Sequence, residues 1–128
     1  MLQQGPDWNN DPSRLAIGGE SAGGGIAAAL IQRLQDHGGV QPQAQWLFAP
    51  MLDDRTAARS ELDALDHPVW NNTANRYSWG AYLGTAPGTD ETPAYAVPAR
   101  RDDLSGLPPA WLYSSATELF HDEIVEYA

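Results

Sequence analysis

Residues 18–25, with the sequence Gly-Gly-Glu-Ser-Ala-Gly-Gly-Gly, limit the fold of this chain more than any other stretch. They contain the pattern Gly-x-Ser-x-Gly, in which a serine occupies a tight turn between a β-strand and an α-helix. Such a turn strains the backbone of Ser21, and side chains at Gly19 and Gly23 are expected to collide within it. The pattern therefore predicts a sharp turn at Ser21 that needs glycine on both sides.

The sequence flanking this pattern is typical of a strand and a helix. Residues 14–17 form a short apolar run after an Asp-Pro-Ser turn, as expected of a buried parallel strand that ends near Gly18. Residues 26–37 continue with helical character, and Gly38 and Gly39 provide a helix stop. Strand, serine and helix are thus predicted to follow one another without a gap.

A serine in such a turn is suited to acyl chemistry. Its hydroxyl stands clear of the sheet, and the backbone N–H of Ala22 lies at the positive end of the following helix. We therefore interpret Ser21 as a nucleophile and the Ala22 N–H as a donor to the developing oxyanion. The alternative is a tight turn with no chemical role. Glu20, inside the motif, is interpreted as a structural carboxylate near the helix start.

Two further strands are predicted at residues 43–49 and 110–114. Together with residues 14–18 they imply an α/β fold with three parallel strands joined by right-handed connections. Asp53, Asp54 and Arg55 follow the second strand, at the edge where open α/β sheets collect ligands. An ion pair that braces a loop is the commoner role for such a trio than an acid/base pair, so we interpret them as structural.

The remaining segments are predicted as helices and connections. Asn71 and Asn72 can cap a helix that ends before Gly84. A last helix begins at His121 and is expected to bury Ile124, Tyr127 and Ala128 on its inner face. The entry loop at residues 1–13, a polar connection at 56–69 and a long irregular connection at 85–109 complete the chain.

Composition excludes several classes of partner. With 128 residues and 42% hydrophobic content the chain suits one globular domain. A net charge of −10 argues against binding to nucleic acid or to an anionic membrane surface. The chain has no cysteine, its start lacks the signature of a secretion signal, and no apolar run approaches membrane-spanning length. These features predict a cytoplasmic protein without a membrane span.

Several motifs in a fixed order accompany the serine pattern. They are Pro-Met-Leu-Asp-Asp-Arg at 50–55, Tyr-Ala-Val-Pro-Ala-Arg at 95–100, Leu-Ser-Gly-Leu-Pro-Pro at 104–109 and Glu-Leu-Phe-His-Asp-Glu at 118–123. With them, the chain resembles the hormone-sensitive-lipase-like esterases of the α/β-hydrolase fold from Asp11 to Ala128. The resemblance implies a catalytic domain over residues 1–128 that hydrolyses small carboxylic esters without metal or organic cofactor.

The resemblance also assigns a role to Glu118. The family places its triad acid in the turn after the strand, two residues before a Phe-x-Asp-Glu sequence, and that position here is Glu118. Many relatives have aspartate there, and the Ser…Asp/Glu…His order of this fold accepts glutamate. A carboxylate in a short loop at the carboxyl end of a strand can orient an imidazole. The alternative is an exposed acid at a helix start.

Two parts of the family pattern are absent from these 128 residues. The His-Gly-Gly-Gly segment that completes the oxyanion hole has no counterpart before Asp11, and no histidine follows a further strand after Glu118. The resemblance therefore implies a partial α/β-hydrolase fold, without the N-terminal strands and the last strand and helix. Of the histidines, His37 lies about 24 Å along the helix from Ser21. His67 is expected at the surface, and His121 is retained as a substitute base.

Two classes of function remain open at this point. The first is a serine ester hydrolase of which these residues are a part, with Ser21 as nucleophile and Glu118 as acid. The second is a catalytically inactive remnant that uses the surviving ester pocket as a binding module. A third possibility is a complete enzyme with His121 as an unorthodox base. The ester, its acyl chain and the oligomeric state are not predicted by the sequence.

Overall fold

A computed structural model describes residues 11–128, so most of the predicted entry loop at 1–13 lies outside the described residues. Asp11 caps a short 3-10 turn, Pro12–Arg14, by accepting a hydrogen bond from the Ser13 N–H at 2.9 Å. The helices and strands that follow are β1 (Ala16–Glu20), α1 (Ala22–His37), β2 (Ala44–Phe48), α2 (Asp54–Ala58), α3 (Asn72–Leu83), β3 (Ala110–Tyr113) and α4 (His121–Tyr127).

The three strands form one parallel sheet in the order β1-β2-β3. Gly19 pairs with Leu47, and Leu47 pairs with Leu112. The three predicted strands are thus confirmed, although β1 lies two residues later than the predicted 14–18. The reason is that the capped 3-10 turn occupies the chain as far as Arg14.

The two faces of the sheet differ in what covers them. On one face α1 packs closely, because its inner side carries Gly24, Gly25 and three alanines instead of bulky residues. Leu47 and Gln45 of β2 are buried on this face. On the other face four aromatic side chains of β2 and β3 are between 42% and 56% exposed, namely Trp46, Phe48, Trp111 and Tyr113.

The core lies between α1 and the helices and loops that follow β2. Its members are small or aliphatic residues of α1 and β2 together with side chains from α2, α3 and α4, including Ala27, Ala28, Leu47, Leu52, Ala57, Trp79, Phe120 and Ile124. The long connection from 85 to 109 contributes Val97 to this core and contains one short 3-10 turn, Pro98–Arg100. Its predicted irregular character is confirmed.

The ends of α1 and α3 are where the sequence predicts them. Gly38 follows α1 in the left-handed conformation with φ 68°, and Gly84 follows α3 with φ 72°. Both positions favour glycine because a Cβ is strained there. The Asn71 side chain caps α3 by accepting from the Ala74 N–H at 2.9 Å.

Two sequence predictions for the segments after β2 need correction. The polar connection predicted at 56–69 contains three residues of α2 and a 3-10 turn, Ser60–Ala64, neither of which is predicted. Asp53 caps α2 by accepting from the Arg55 N–H at 2.9 Å, in addition to forming the predicted ion pair with Arg55. On α4, Ile124 and Tyr127 face inward as predicted, but Ala128 is exposed and Glu123 is buried instead.

Candidate active site

Ser21 occupies a strained turn between β1 and α1. Its φ of 52° and ψ of −122° lie outside the regions that non-glycine residues favour. Four backbone hydrogen bonds hold it in place. The Ser21 N–H donates to the Phe48 carbonyl at 2.9 Å, and the Ser21 carbonyl accepts from the N–H groups of Gly24, Gly25 and Met51 at 3.0, 3.2 and 3.0 Å. The predicted sharp turn is therefore present, and the surrounding backbone maintains it.

Only one of the two flanking glycines is required for space. A Cβ on Gly19 would overlap the backbone of Gly23 and lie 2.6 Å from the Gly24 nitrogen. A Cβ on Gly23 would meet no atom of the described residues within 4 Å. The prediction that position 23 must be glycine to avoid a collision is therefore wrong. The close contact is between a Cβ at position 19 and the backbone of residue 23, and that backbone is the same for any residue.

Ala22 is the first residue of α1, and its N–H has no acceptor within the described part of the chain. The first N–H groups of a helix have no intrahelical partner and carry the positive end of the helix dipole. Ser21, Ala22 and Gly23 are all exposed, so a ligand can reach the hydroxyl and this N–H together. Glu20 is also exposed, at the end of β1.

A cavity of about 230 Å³ opens beside Ser21. Its walls come from α1, the segment after β2, α3 with the residues just before it, and the long connection, and most of them are apolar or aromatic: Ile26, Met51, Trp70, Trp79, Tyr82 and Ala96. Ser78 and Tyr82 carry the other hydroxyls on the wall. The volume and the apolar lining suit a small, mainly apolar ligand group beside the Ser21 hydroxyl.

Glu118 lies in the turn after β3, at the same sheet edge as Ser21, because parallel strands end at one edge. Its Oε1 accepts from the Ser115 N–H at 2.9 Å, and its own N–H donates to the Ser115 carbonyl at 3.0 Å. With β2 between them, the ends of β1 and β3 are about 10 Å apart, twice the strand spacing. This separation leaves room for an imidazole, but Glu118 does not line the Ser21 cavity.

None of the three histidines lines that cavity. His37 ends α1, with its ring centroid 6.0 Å from that of Tyr95. His67 Nδ1 lies 3.4 Å from the Thr117 carbonyl. His121 Nδ1 lies 2.9 Å from the Ser114 hydroxyl, on the Glu118 side of the site. The described residues thus bring together Ser21 and Ala22, and place Glu118 and His121 in a separate group.

A family model described as the α/β-hydrolase fold matches residues 1–128. The chain belongs to the α/β-hydrolase family. Among curated relatives, the acetyl-hydrolase of Streptomyces hygroscopicus is 33% identical over 96% of this chain, and carboxylesterase NlhH of Mycobacterium tuberculosis is 31% identical over 95%. The chain spans 39% of the length of each. The resemblance to hormone-sensitive-lipase-like esterases is confirmed.

Solved structures of this α/β-hydrolase family show the same backbone arrangement. A bacterial heroin esterase superposes with a TM-score of 0.86 at 37% identity, covering 98% of this chain and 41% of that one. Esterase LipW from Mycobacterium marinum superposes with a TM-score of 0.77 at 36% identity, covering 92% and 36%. The three parallel strands and their helices are therefore a part of the α/β-hydrolase fold, as predicted.

Two ion pairs between aspartate and arginine side chains stabilise the segment after β2, which hydrogen-bonds to Ser21 through Met51. Asp53 pairs with Arg55 at 2.7 Å, as the structural interpretation predicts. Asp54, fully buried, pairs instead with Arg100 at 2.8 Å and accepts from the Gly88 N–H at 2.6 Å. The sequence reading missed this pair because its partners are 46 residues apart.

A second residue that sequence reasoning missed is Glu123, which is 4% exposed. Its Oε1 accepts from the N–H groups of Leu52 and Asp53 at 2.8 and 3.2 Å. Burial raises the pKa of Glu123 to about 7, while the neighbouring Thr56 hydroxyl and the two N–H groups act in the opposite direction. The sequence signal for this residue is the Asp-Glu pair of the 118–123 motif. Acidic residues are seldom buried, and a buried one needs hydrogen-bond partners.

Metal and membrane sites are not evident in the described residues. No group of three histidine, aspartate or glutamate side chains in residues 11–128 is placed to hold a metal ion. No helix in the same range is both long and apolar enough to cross a bilayer.

Proposed function

We propose that this α/β-hydrolase chain carries the nucleophile of a serine carboxylic ester hydrolase. The observation that carries the proposal is the strained Ser21 turn at the helix N-terminus, beside an apolar cavity of about 230 Å³. Backbone strain of this kind persists only where the structure over-determines it, and it clusters at functional sites. The names of the relatives, an acetyl-hydrolase and a carboxylesterase, support the same class of reaction.

In the proposed mechanism the Ser21 oxygen attacks the ester carbonyl carbon while a base takes the hydroxyl proton. The carbonyl oxygen becomes an oxyanion, which the Ala22 N–H stabilises. Collapse of this intermediate expels the alcohol, which takes the proton from the base, and leaves an acyl group on Ser21. Water, activated by the same base, then releases the carboxylic acid. Metal and organic cofactors have no part in this sequence.

The base is proposed to be a histidine that is not among these 128 residues, oriented by Glu118. The roughly 10 Å between the ends of β1 and β3 would accommodate it. His121 is the alternative base, but it does not line the Ser21 cavity, and its Nδ1 lies 2.9 Å from the Ser114 hydroxyl. Without a base at Ser21 the 128 residues by themselves should turn over esters poorly, since general-base catalysis contributes about 10²- to 10⁴-fold.

A second candidate is a module that binds esters without hydrolysing them. The observation in its favour is that none of the histidines lines the Ser21 cavity. Either function fits a cytoplasmic protein, as the absence of cysteine suggests. Either also fits a small-molecule ligand, because the acidic composition disfavours a nucleic-acid partner.

Chemical rescue of the missing base separates the two functions. The 128-residue chain is incubated with p-nitrophenyl acetate, with and without added imidazole, and acetylated residues are identified by peptide mass spectrometry. We expect imidazole-dependent acetylation at Ser21 and none at Ser78, which shares the cavity. The variant Ser21→Ala should remove the signal, and His121→Ala should retain it. Equal acetylation of Ser21 and Ser78, or of neither, would contradict the nucleophile assignment and leave the binding module.

A further inference from the structure

The two oxygens of the buried Glu123 carboxyl differ in their hydrogen bonds. One oxygen, Oε1, accepts two consecutive backbone N–H groups, from Leu52 and Asp53, at 2.8 and 3.2 Å. The other oxygen, Oε2, is buried with no hydrogen-bond partner within 3.5 Å in the described part of the chain, although the Thr56 hydroxyl is near enough to lower the pKa of the carboxyl. Burying a carboxyl with one unpartnered oxygen costs free energy, so the contacts of Oε1 have to offset that cost.

Leu52 and Asp53, whose N–H groups donate to Oε1, belong to the segment after β2 that also hydrogen-bonds to Ser21. Met51, directly before Leu52, donates its N–H to the Ser21 carbonyl at 3.0 Å. Leu52 in turn accepts through its carbonyl from the Ala99 N–H at 3.0 Å. The Glu123 contact therefore lies one residue along the chain from a hydrogen bond that fixes the strained turn.

The other end of the same side chain belongs to the Glu118 side of the site. Glu123 is the third residue of α4, and α4 follows the Glu118 turn directly, with the His121 N–H 3.4 Å from the Glu118 carbonyl. The 71-residue separation between Glu123 and Leu52 makes this a long-range connection between α4 and the segment after β2. A shift of α4 would move both.

We infer that Glu123 is a positioning residue, which sets the place of Ser21 through the N–H groups of Leu52 and Asp53 and fixes it relative to Glu118. This inference rests on the proposed function, because positioning matters to the reaction only if Ser21 is the nucleophile. Misplacing a reacting group by about 1 Å can cost 10²-fold in rate. Glu123 touches no reacting atom and acts only through the backbone.

Glutamine is the variant that keeps this geometry. The raised pKa of Glu123, about 7, means that its neutral form is populated near neutral pH, and an amide has the same shape as a neutral carboxyl. The Glu123→Gln variant retains an oxygen for both N–H groups, whereas Glu123→Ala leaves both without an acceptor. Glu126, exposed on the same helix, provides the matched controls Glu126→Gln and Glu126→Ala.

Amide hydrogen exchange tests the connection without requiring activity. In Glu123→Ala we expect faster exchange at Met51, Leu52 and Asp53, while amides in the middle of α1 keep wild-type protection. Glu123→Gln and both Glu126 variants should leave the three amides protected. Unchanged protection in Glu123→Ala, or a uniform loss throughout the core, would overturn the inference, the second because it shows only general destabilisation.

The imidazole-dependent acetylation of Ser21 gives the functional readout. Glu123→Ala should slow it by about tenfold, within the range for a misplaced group, and Glu123→Gln should restore it. Equal rates in Glu123→Ala and wild type would overturn the positioning role. If wild-type Ser21 is not acetylated at all, the proposed function fails, and the exchange pattern still decides whether Glu123 holds the segment behind Ser21.

Discussion

Gly25 of α1 and Met51 of the segment after β2 meet backbone to backbone, so that a Cβ on Gly25 would overlap the Met51 carbonyl oxygen. Met51 also donates its N–H to the Ser21 carbonyl at 3.0 Å. The close approach of these two residues therefore brings the segment after β2 within reach of the serine turn. Glycine at position 25 serves this contact and not the Gly-x-Ser-x-Gly pattern itself.

Alanine substitution should separate this contact from ordinary glycine effects. Gly25→Ala should lower the free energy of unfolding by about 2–3 kcal/mol, because its Cβ overlaps backbone that cannot rotate away. Gly23→Ala has open space, and it should be neutral or stabilise by up to about 1 kcal/mol, since alanine favours a helix over glycine. Urea unfolding of the two variants measures both values. Equal destabilisation by both would contradict the predicted difference.

The buried ion pair of Asp54 and Arg100 should be sensitive to the loss of one partner. Arg100→Met keeps most of the side-chain stem but leaves Asp54, which is 0% exposed, without its cation. We expect a loss of about 3–5 kcal/mol in the free energy of unfolding, the usual cost of an uncompensated buried charge. Thermal or urea unfolding measures it.

The matched control for that variant is Arg59→Met. Arg59 pairs with Glu61 at 2.9 Å, but both side chains are exposed, and such pairs contribute little in water. Its unfolding curve should overlie that of the unsubstituted chain. A similar loss of stability in Arg59→Met and Arg100→Met would show that the burial of Asp54 is not what makes its ion pair important.

The sequence predicts the parts of the site that depend on neighbouring residues. The helix stop at Gly38 and the Asn71 cap arise from side chains and backbone within a few residues of one another. The Ser21 turn is marked by a local glycine pattern, although Phe48 and Met51 also hold it. The three strands are also predicted, because short apolar runs bounded by turn residues mark them. The predicted start of β1 is too early because a capped 3-10 turn occupies residues 12–14.

The sequence does not predict contacts between distant segments. Glu123 reaches Leu52 across 71 residues and Arg100 reaches Asp54 across 46, and no local pattern pairs them. The helical period predicts Ala128 and not Glu123 on the inner face of α4, and acidic residues are seldom buried. The role of Gly25 depends on where Met51 packs, which only the assembled fold determines.

Stability should depend on pH through Glu123. Its pKa rises from 4.5 to about 7 on folding because burial disfavours the charged form. The folded state therefore binds more protons between these values, and stability falls as pH rises from about 5 to about 7, by at most about 3 kcal/mol at about 1.4 kcal/mol per pKa unit. The nearby Asp53 charge acts in the same direction as burial.

The difference between two variants isolates this contribution from other carboxyl groups. Urea unfolding between pH 5 and pH 8 should show a falling free energy for the unsubstituted chain and for Glu126→Gln. In Glu123→Gln that fall should be absent, because an amide does not titrate. A slope that persists in Glu123→Gln would assign the pH dependence to another group.

The aromatic face of the sheet should cause the 128-residue chain to self-associate. Trp46, Phe48, Trp111 and Tyr113 are 42–56% exposed and contact one another, with the Phe48 and Trp111 ring centroids 4.9 Å apart. Parallel sheets are normally covered on both faces, and large apolar patches promote association. Sedimentation velocity should therefore show a concentration-dependent increase in mass.

Replacing Trp46 and Trp111 by threonine, which suits strands, should shift the chain toward monomer. The control Tyr77→Thr removes an aromatic that is 79% exposed on α3 and should change nothing. A chain that stays monomeric throughout, or that Tyr77→Thr dissociates equally well, would show that this face does not drive association.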